Sequence, residues 1–267
     1  MKKLYLSQNQ LEVQEMISKI KLFLFVVFFA VFSEASETAQ EPKEIKWPFD
    51  GVFGKFDKQS IQRGFQVYKE VCSTCHSLEL ISFRNLEEIG FTEKEVKSLA
   101  SQYQVQDGPN DNGEYYTRPG KHFDKLPSPY ANEKAARAAN NGAYPPDLSL
   151  IIKARSDGAN YVYSLLTGYN NAPSEGLNLM EGMYYNPYFP GKQISMPPPL
   201  SEGLISYSDE TNADVEQMSI DVVNFLQWAS EPEMDKRKSM GIKVVIYLII
   251  AAIFFYLAYK RVWAKVK

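Results

Sequence analysis

The pentapeptide Cys72-Ser73-Thr74-Cys75-His76 constrains this chain more than any other stretch. Two thiols separated by two residues and followed at once by an imidazole form the attachment pattern of a c-type haem. The thiols can add across the two vinyl groups on one porphyrin edge. The histidine is then held below the ring, where a nitrogen can bind iron. The chain has 2 cysteines and 2 histidines, and this one segment takes up all but His122.

Other readings of the pair are weaker. A thioredoxin-like redox pair needs a βαβ context, and nothing around residue 72 has that layout. A structural zinc site needs four ligands, which Cys72, Cys75, His76 and His122 could supply only across an unusually long gap. A disulfide between residues three apart closes too small a loop to constrain the chain much.

Both ends of the chain read as segments outside the globular fold. Lys19 and Lys21 precede the apolar run Leu22 to Phe32, and Ser33-Glu34-Ala35 then offers small residues for cleavage. This is the layout of a secretory signal over residues 1–35, and the run is too short to span a bilayer. Residues 1–15 are polar and carry Glu12 and Glu15, which suits an n-region poorly, so Met16 is the expected translation start. At the other end, Val244 to Tyr259 carries no charge, and Met240 to Lys243 extends it to the roughly 20 residues a membrane helix needs. Tyr247, Tyr256, Tyr259 and Trp263 suit the two interfaces. Residues 240–267 are thus expected to be a single anchor with a short tail. Four basic residues flank it on each side, so charge does not orient it. The signal does: it exports residues 36–239 and leaves the tail inside, which implies an inner-membrane protein with its main domain in the periplasm.

Residues 36–239 are acidic, with 29 Asp and Glu against 20 Lys and Arg. Between Lys192 and Lys236 stand nine acidic and no basic residues. Nucleic acid is therefore excluded as a natural partner. A basic protein steered by long-range attraction fits the acidic segment 202–235, as does a merely solvated surface.

Within this domain the apolar spacing predicts a helix over 60–71, with Ile61, Phe65, Tyr68 and Val71 on one stripe. Gly64 beside that stripe would let another helix cross closely. Thr92-Glu93-Lys94-Glu95 is a capping box that starts a second helix. Helices are also expected over 133–139, 157–167 and 213–229, with a loop over 107–119 and a long ordered loop over 169–207. No strand alternation is evident. An early helix, the haem motif, wrapping loops and a late helix make the plan of a small all-α, class I cytochrome c-like domain. Trp228 on the late helix is expected to pack where Gly64 leaves room.

The residues leave the second axial position of the iron open. His122 lies in a polar stretch and suits the surface. Met218 fits the core of the late helix, and Met180, Met183, Met196 and Met234 remain. Met196 stands apart because Pro197-Pro198-Pro199 follows it, and a stiff loop can hold a weak thioether ligand at small entropic cost.

The chain resembles the cytochrome c1 family, the haem subunits of the quinol–cytochrome c reductase complex. The resemblance is carried by Trp47-Pro48-Phe49-Asp50-Gly51, Arg63-Gly64-Phe65-Gln66-Val67-Tyr68, Val105 to Asn110, Arg118-Pro119-Gly120 and Ala135 to Ala143. It continues through Pro145-Pro146-Asp147-Leu148-Ser149, Ser164-Leu165-Leu166-Thr167-Gly168-Tyr169, Tyr185 to Gly191, Ile194 to Pro197 and Ala229 to Glu233. Many relatives carry histidines where this chain has Met234 and Lys236, and some bacterial relatives have a cysteine pair that it lacks.

The resemblance implies one covalent haem c on Cys72 and Cys75, with His76 and Met196 as the axial ligands of its iron. Arg118 would pair a haem propionate, and Pro145 and Pro146 would line the pocket. It implies an electron carrier in a complex with a cytochrome b subunit, fed by the Rieske iron–sulfur protein and emptied by cytochrome c, catalysing no reaction by itself. Two alternatives share part of the pattern. Another membrane-anchored monohaem cytochrome has the motif and anchor without these stretches, and a haem enzyme or gas sensor would keep its sixth site open.

Overall fold

The computed structural model describes residues 39–170, 173 and 177–266. The expected signal and its start at Met16 lie outside them. The described part is mostly helical, organised around two crossing helices. The first, α1 (Lys58–Glu70), begins at Asp57, whose carboxylate accepts from the amides of Gln59 and Ser60 at 3.0 and 3.3 Å. Its partner in the crossing, α5 (Val215–Ser230), begins at Asp214, which accepts from the Gln217 amide at 2.7 Å. Such caps satisfy amides that no preceding turn can.

The crossing point is Gly64. A Cβ built there would lie 1.9 Å from the Asp221 carbonyl oxygen and 2.8 Å from Phe225 Cβ. The expected close approach is present, but its partner differs. Asp221 and Phe225, one helical repeat apart, straddle the glycine. Trp228 is buried one turn further on, its ring 5.7 Å from that of Phe225. Phe65 and Tyr68 close the other side of this aromatic cluster, each 5.6 Å from Phe225. Beside the crossing, the fully buried Asp221 carboxylate accepts from Ser60 Oγ at 2.7 Å and from Arg63 at 2.9 and 3.0 Å. A charge taken out of water this completely is tolerable only with such partners.

Three shorter helices complete the domain. α2 (Glu93–Ala100) carries the expected capping box, Glu95 N donating to Thr92 Oγ1 and Thr92 N to Glu95 Oε2. α3 (Glu133–Ala139) starts at Asn132, and α4 (Gly158–Thr167) follows Asp157. A 3₁₀ helix over Phe83–Ile89 was not foreseen, although its buried Phe83, Leu86 and Ile89 recur at intervals of three.

The structure also holds strands where none were expected. β1 (Gln104–Asp107) pairs antiparallel with β2 (Tyr116–Pro119), Val105 opposite Arg118. β3 (Tyr184–Tyr185) pairs with β4 (Gln193–Ile194) inside the long loop. Segments of four and two residues are too short to show alternation. Asn186, fully buried in that loop, donates to the Leu165 carbonyl at 2.8 Å and accepts from Tyr188 N, which ties the loop to α4.

The last element, α6 (Met234–Trp263), is 30 residues long and apolar enough to cross a membrane. It runs unbroken through the expected boundary at 239/240. Its first residue, Met234, is buried in the domain core.

Candidate functional site

α1 delivers the Cys-x-x-Cys-His segment. The helix stops at Glu70, and Cys72–Thr74 tightens into a 3₁₀ turn in which the amides of Cys75 and His76 both bond the Cys72 carbonyl, at 3.1 and 2.9 Å. Both thiols are free and half-buried. Burial pushes the Cys72 thiol up to about 12, which keeps it protonated. Reactive redox pairs depend on the opposite shift, so the structure does not favour that reading.

His76 is oriented from two sides. Its ring Nδ1 lies 2.8 Å from the Pro146 carbonyl oxygen, and its own carbonyl accepts from Tyr68 Oη at 3.2 Å. A carbonyl can only accept, so Nδ1 carries the proton and Nε2 keeps its lone pair. This is the arrangement that fixes the tautomer and direction of an imidazole ligand. Burial lowers the pKa of the ring, against the opposing pull of the Pro146 carbonyl and Asp147, and so favours the neutral form.

Asp147 secures the Pro145-Pro146 segment against the haem motif. Its Oδ2 accepts from Ser77 Oγ and Glu79 N, both at 2.8 Å, and its Oδ1 from Ser149 N at 2.9 Å. The Leu148 amide bonds Ser77 O at 2.9 Å and Leu80 N bonds Ser149 Oγ at 3.1 Å. Burial pushes the Asp147 carboxyl up, but the donors of Glu79, Ser149 and Ser77 pull it further down, leaving it below the ordinary carboxylate range. Sequence reasoning missed this residue. The Pro-Pro-Asp-Leu-Ser stretch was visible, but its proximity to residues 77–80 was not. Pro145 itself borders a polar cleft of about 170 Å³ that reaches Cys75, Ser77 and Tyr130.

The methionines sort clearly. Met218 and Met234 are buried in the core and Met180 is exposed. Met183 Sδ accepts from Ser195 Oγ at 3.1 Å. Met196 lies half-buried in the Pro-rich segment, where Tyr169 Oη donates to its carbonyl at 3.0 Å. Tyr169 directly follows Gly168, the glycine that stops α4, and nothing in its local sequence signals this contact. His122 lies beside Phe123 in a polar turn, its carbonyl accepting from Arg84 N at 2.6 Å. Among the described residues no group of three or more His, Cys, Asp or Glu side chains is gathered to hold a metal ion. The four-ligand zinc site is therefore not assembled.

Arg118 stands apart from the His76 cluster in its bonding. It grips Asp124 with two parallel bonds of 2.6 and 2.9 Å, pairs with Asp107 through Nε, and donates to the Pro119 carbonyl. Four of its five N–H groups are thus committed among the described residues.

The profile of the Cytochrome C1 family matches residues 47–266. The chain belongs to the cytochrome c1 family. It is 52% identical over 219 residues to "Cytochrome c1 1, heme protein, mitochondrial" of Arabidopsis thaliana, covering 82% of this chain and 71% of the relative. It is 46% identical over 250 residues to cytochrome c1 of Rhodospirillum rubrum, covering 88% and 92%. A third relative, "Cytochrome b-c1 complex catalytic subunit, mitochondrial" of Candida albicans, is 52% identical over 214 residues, covering 80% and 74%. The cytochrome c1 match takes in the haem motif, the Pro145–Ser149 segment, Met196 and all of α6.

Proposed function

We propose that this cytochrome c1 family member is the membrane-anchored haem subunit of a cytochrome b-c1 complex in a respiratory chain. The observation that carries this reading is the held imidazole of His76, whose Nδ1 is occupied by Pro146 and whose Nε2 is left as a ligand beside two free thiols. Cys72 and Cys75 would form the thioether links of one haem c. His76 and Met196 would ligate its iron, Met196 lying half-buried on a loop stiffened by the prolines that follow it. Pro145 and Pro146 would border the ring. Arg118 would offer one N–H to a propionate, or a bidentate face if Asp124 is displaced.

When bound, the haem would supply a one-electron couple, the electron coming from the Rieske protein and going on to cytochrome c. The chain's own residues orient the imidazole, hold the ligand loop and exclude water. His/Met ligation and burial favour a high potential. The domain would be a class I cytochrome c-like fold over residues 36–239, exported to the periplasm by residues 1–35 and anchored in the inner membrane by residues 240–267. Of the nine acidic residues in 202–235, Asp221 and Asp235 are spent on internal bonds, Asp209, Glu231 and Glu233 on ion pairs and Asp214 on a helix cap. Docking of cytochrome c would therefore fall to exposed Glu202, Glu210 and Glu216, of which Glu202 carries one long bond from Val215 N.

The test is optical. The purified chain should carry its red chromophore through a denaturing gel, and the weak far-red band of Met-ligated ferric haem should vanish in Met196→Leu. A high-spin spectrum in the unaltered protein would replace this reading with an open-site haem protein.

A further inference from the structure

The turn that follows Trp47-Pro48 presents two apolar side chains to the outside. Val52 is 65% exposed and Phe53 82%, the highest value of any large apolar residue among those described. The turn is not loose. Asp50 accepts from Trp47 N at 2.9 Å, Lys55 N bonds Pro48 O at 3.0 Å, and Gly51 sits at φ +69°. A Cβ on Gly54 would lie 2.1 Å from Asp50 O, so the chain doubles back tightly.

The turn is fastened to the start of α6. Lys238 Nζ donates to the carbonyls of Phe49, Gly51 and Gly54 at 2.6, 2.8 and 3.3 Å. Asp235, one helical turn nearer the haem domain, accepts from Phe56 N at 3.3 Å. Phe56 thus meets α6 beside Asp235, and the carbonyls of Gly51 and Gly54 gather on the Lys238 ammonium. The tip, Val52-Phe53, lies between two carbonyls held by Lys238, beside the first turns of α6. Val244, where the charge-free run begins, is six residues beyond Lys238, a rise of about 9 Å. The headgroup layer adds roughly 5–7 Å to each side of the hydrocarbon core. A side chain reaching below Lys238 enters that layer.

We propose that the Gly51–Gly54 turn is a second membrane contact, which seats Val52 and Phe53 in the lipid headgroup region beside the anchor helix. The proposal rests on α6 spanning the bilayer. Aromatic and apolar side chains on a rigid loop suit this layer, and the partner is phospholipid.

The test places p-benzoylphenylalanine at Phe53 of the full-length, haem-loaded chain in its native membranes, irradiates them, and identifies adducts by mass spectrometry. The same residue at Phe254 on α6 reports whether the helix is in lipid, and at exposed Tyr115 between β1 and β2 reports the aqueous side. Phospholipid adducts at Phe53 close to the yield at Phe254, and several-fold above Tyr115, are expected. Adducts at Phe53 mainly to another protein subunit would overturn the proposal, as would none with lipid while Phe254 gives them. Lipid adducts at neither position would overturn the membrane reading of α6 together with it. The same label at Val52 gives a second measurement should the Phe53 variant not accumulate.

Discussion

Gly64→Ala tests the helix crossing directly. The new methyl carbon would sit 1.9 Å from the Asp221 carbonyl oxygen and 2.5 Å from its carbon, both backbone atoms that no rotamer change can move. Reaching an ordinary contact requires α1 and α5 to separate by about 1.5 Å. That carries the 2.7 Å bond from Ser60 to Asp221 beyond hydrogen-bonding range and strains the Arg63 pair beside it. Overpacking of this kind costs about 1–3 kcal/mol, and weakening the bonds of a buried charge adds about 1–3 kcal/mol. The higher helix propensity of alanine returns about 1 kcal/mol. The expected net loss is about 3 kcal/mol, or a melting temperature lower by roughly 10 °C for a domain of this size. Circular dichroism melts of the detergent-solubilised chain would measure it. Gly241→Ala on α6, with nothing within 4 Å of the added carbon, is the control and should be neutral or slightly stabilising. A Gly64→Ala protein as stable as the unaltered one would refute the close crossing.

Arg63→Met should cost about 3 kcal/mol, because it leaves the Asp221 carboxylate buried without its guanidinium; chemical denaturation measures it, and Arg63→Lys should recover only part. Asp147→Ala should destabilise the site by about 2 kcal/mol at neutral pH. Because the Asp147 pKa is depressed in the folded protein, its contribution is complete above the ordinary carboxylate range and disappears as pH falls through the folded value. The gap between the two proteins should therefore begin to narrow only below about pH 4 and close once pH falls beneath the depressed folded value; a gap unchanged at the lowest pH at which both still fold would contradict the assignment. Tyr169→Phe removes the donor to the Met196 carbonyl, worth about 1 kcal/mol, and should lower the denaturant concentration at which the far-red haem band disappears. Charge reversal at Glu202, Glu210 and Glu216 together should slow reduction of added cytochrome c and flatten its salt dependence; unchanged kinetics would place docking elsewhere.

What the sequence disclosed was local. Apolar spacing within α1, the Thr92–Glu95 box and the helix stop after Ala139 each depend on residues a few positions apart, and the structure places them close to where they were read. Gly64 announced a close crossing, yet the register of α1 on α5 is a tertiary property, so Trp228 was named where Asp221 and Phe225 stand. The short strands carry no period of their own. Asp147 acts only because residues 77–80 fold back onto it, some seventy positions away in the chain. Met196 stands out in the sequence by its neighbours alone, the Pro197-Pro198-Pro199 run that stiffens its loop.

The seam between the haem domain and α6 has a mechanical consequence. With Met234 sunk in the core, Asp235 bonded to Phe56 and Lys238 clasping three carbonyls, α6 is a shaft and not a tether. With α6 across the bilayer as proposed, any lean imposed on it would be transmitted to the body above, so the height and angle at which the redox centre is offered would depend on the thickness of the lipid around it.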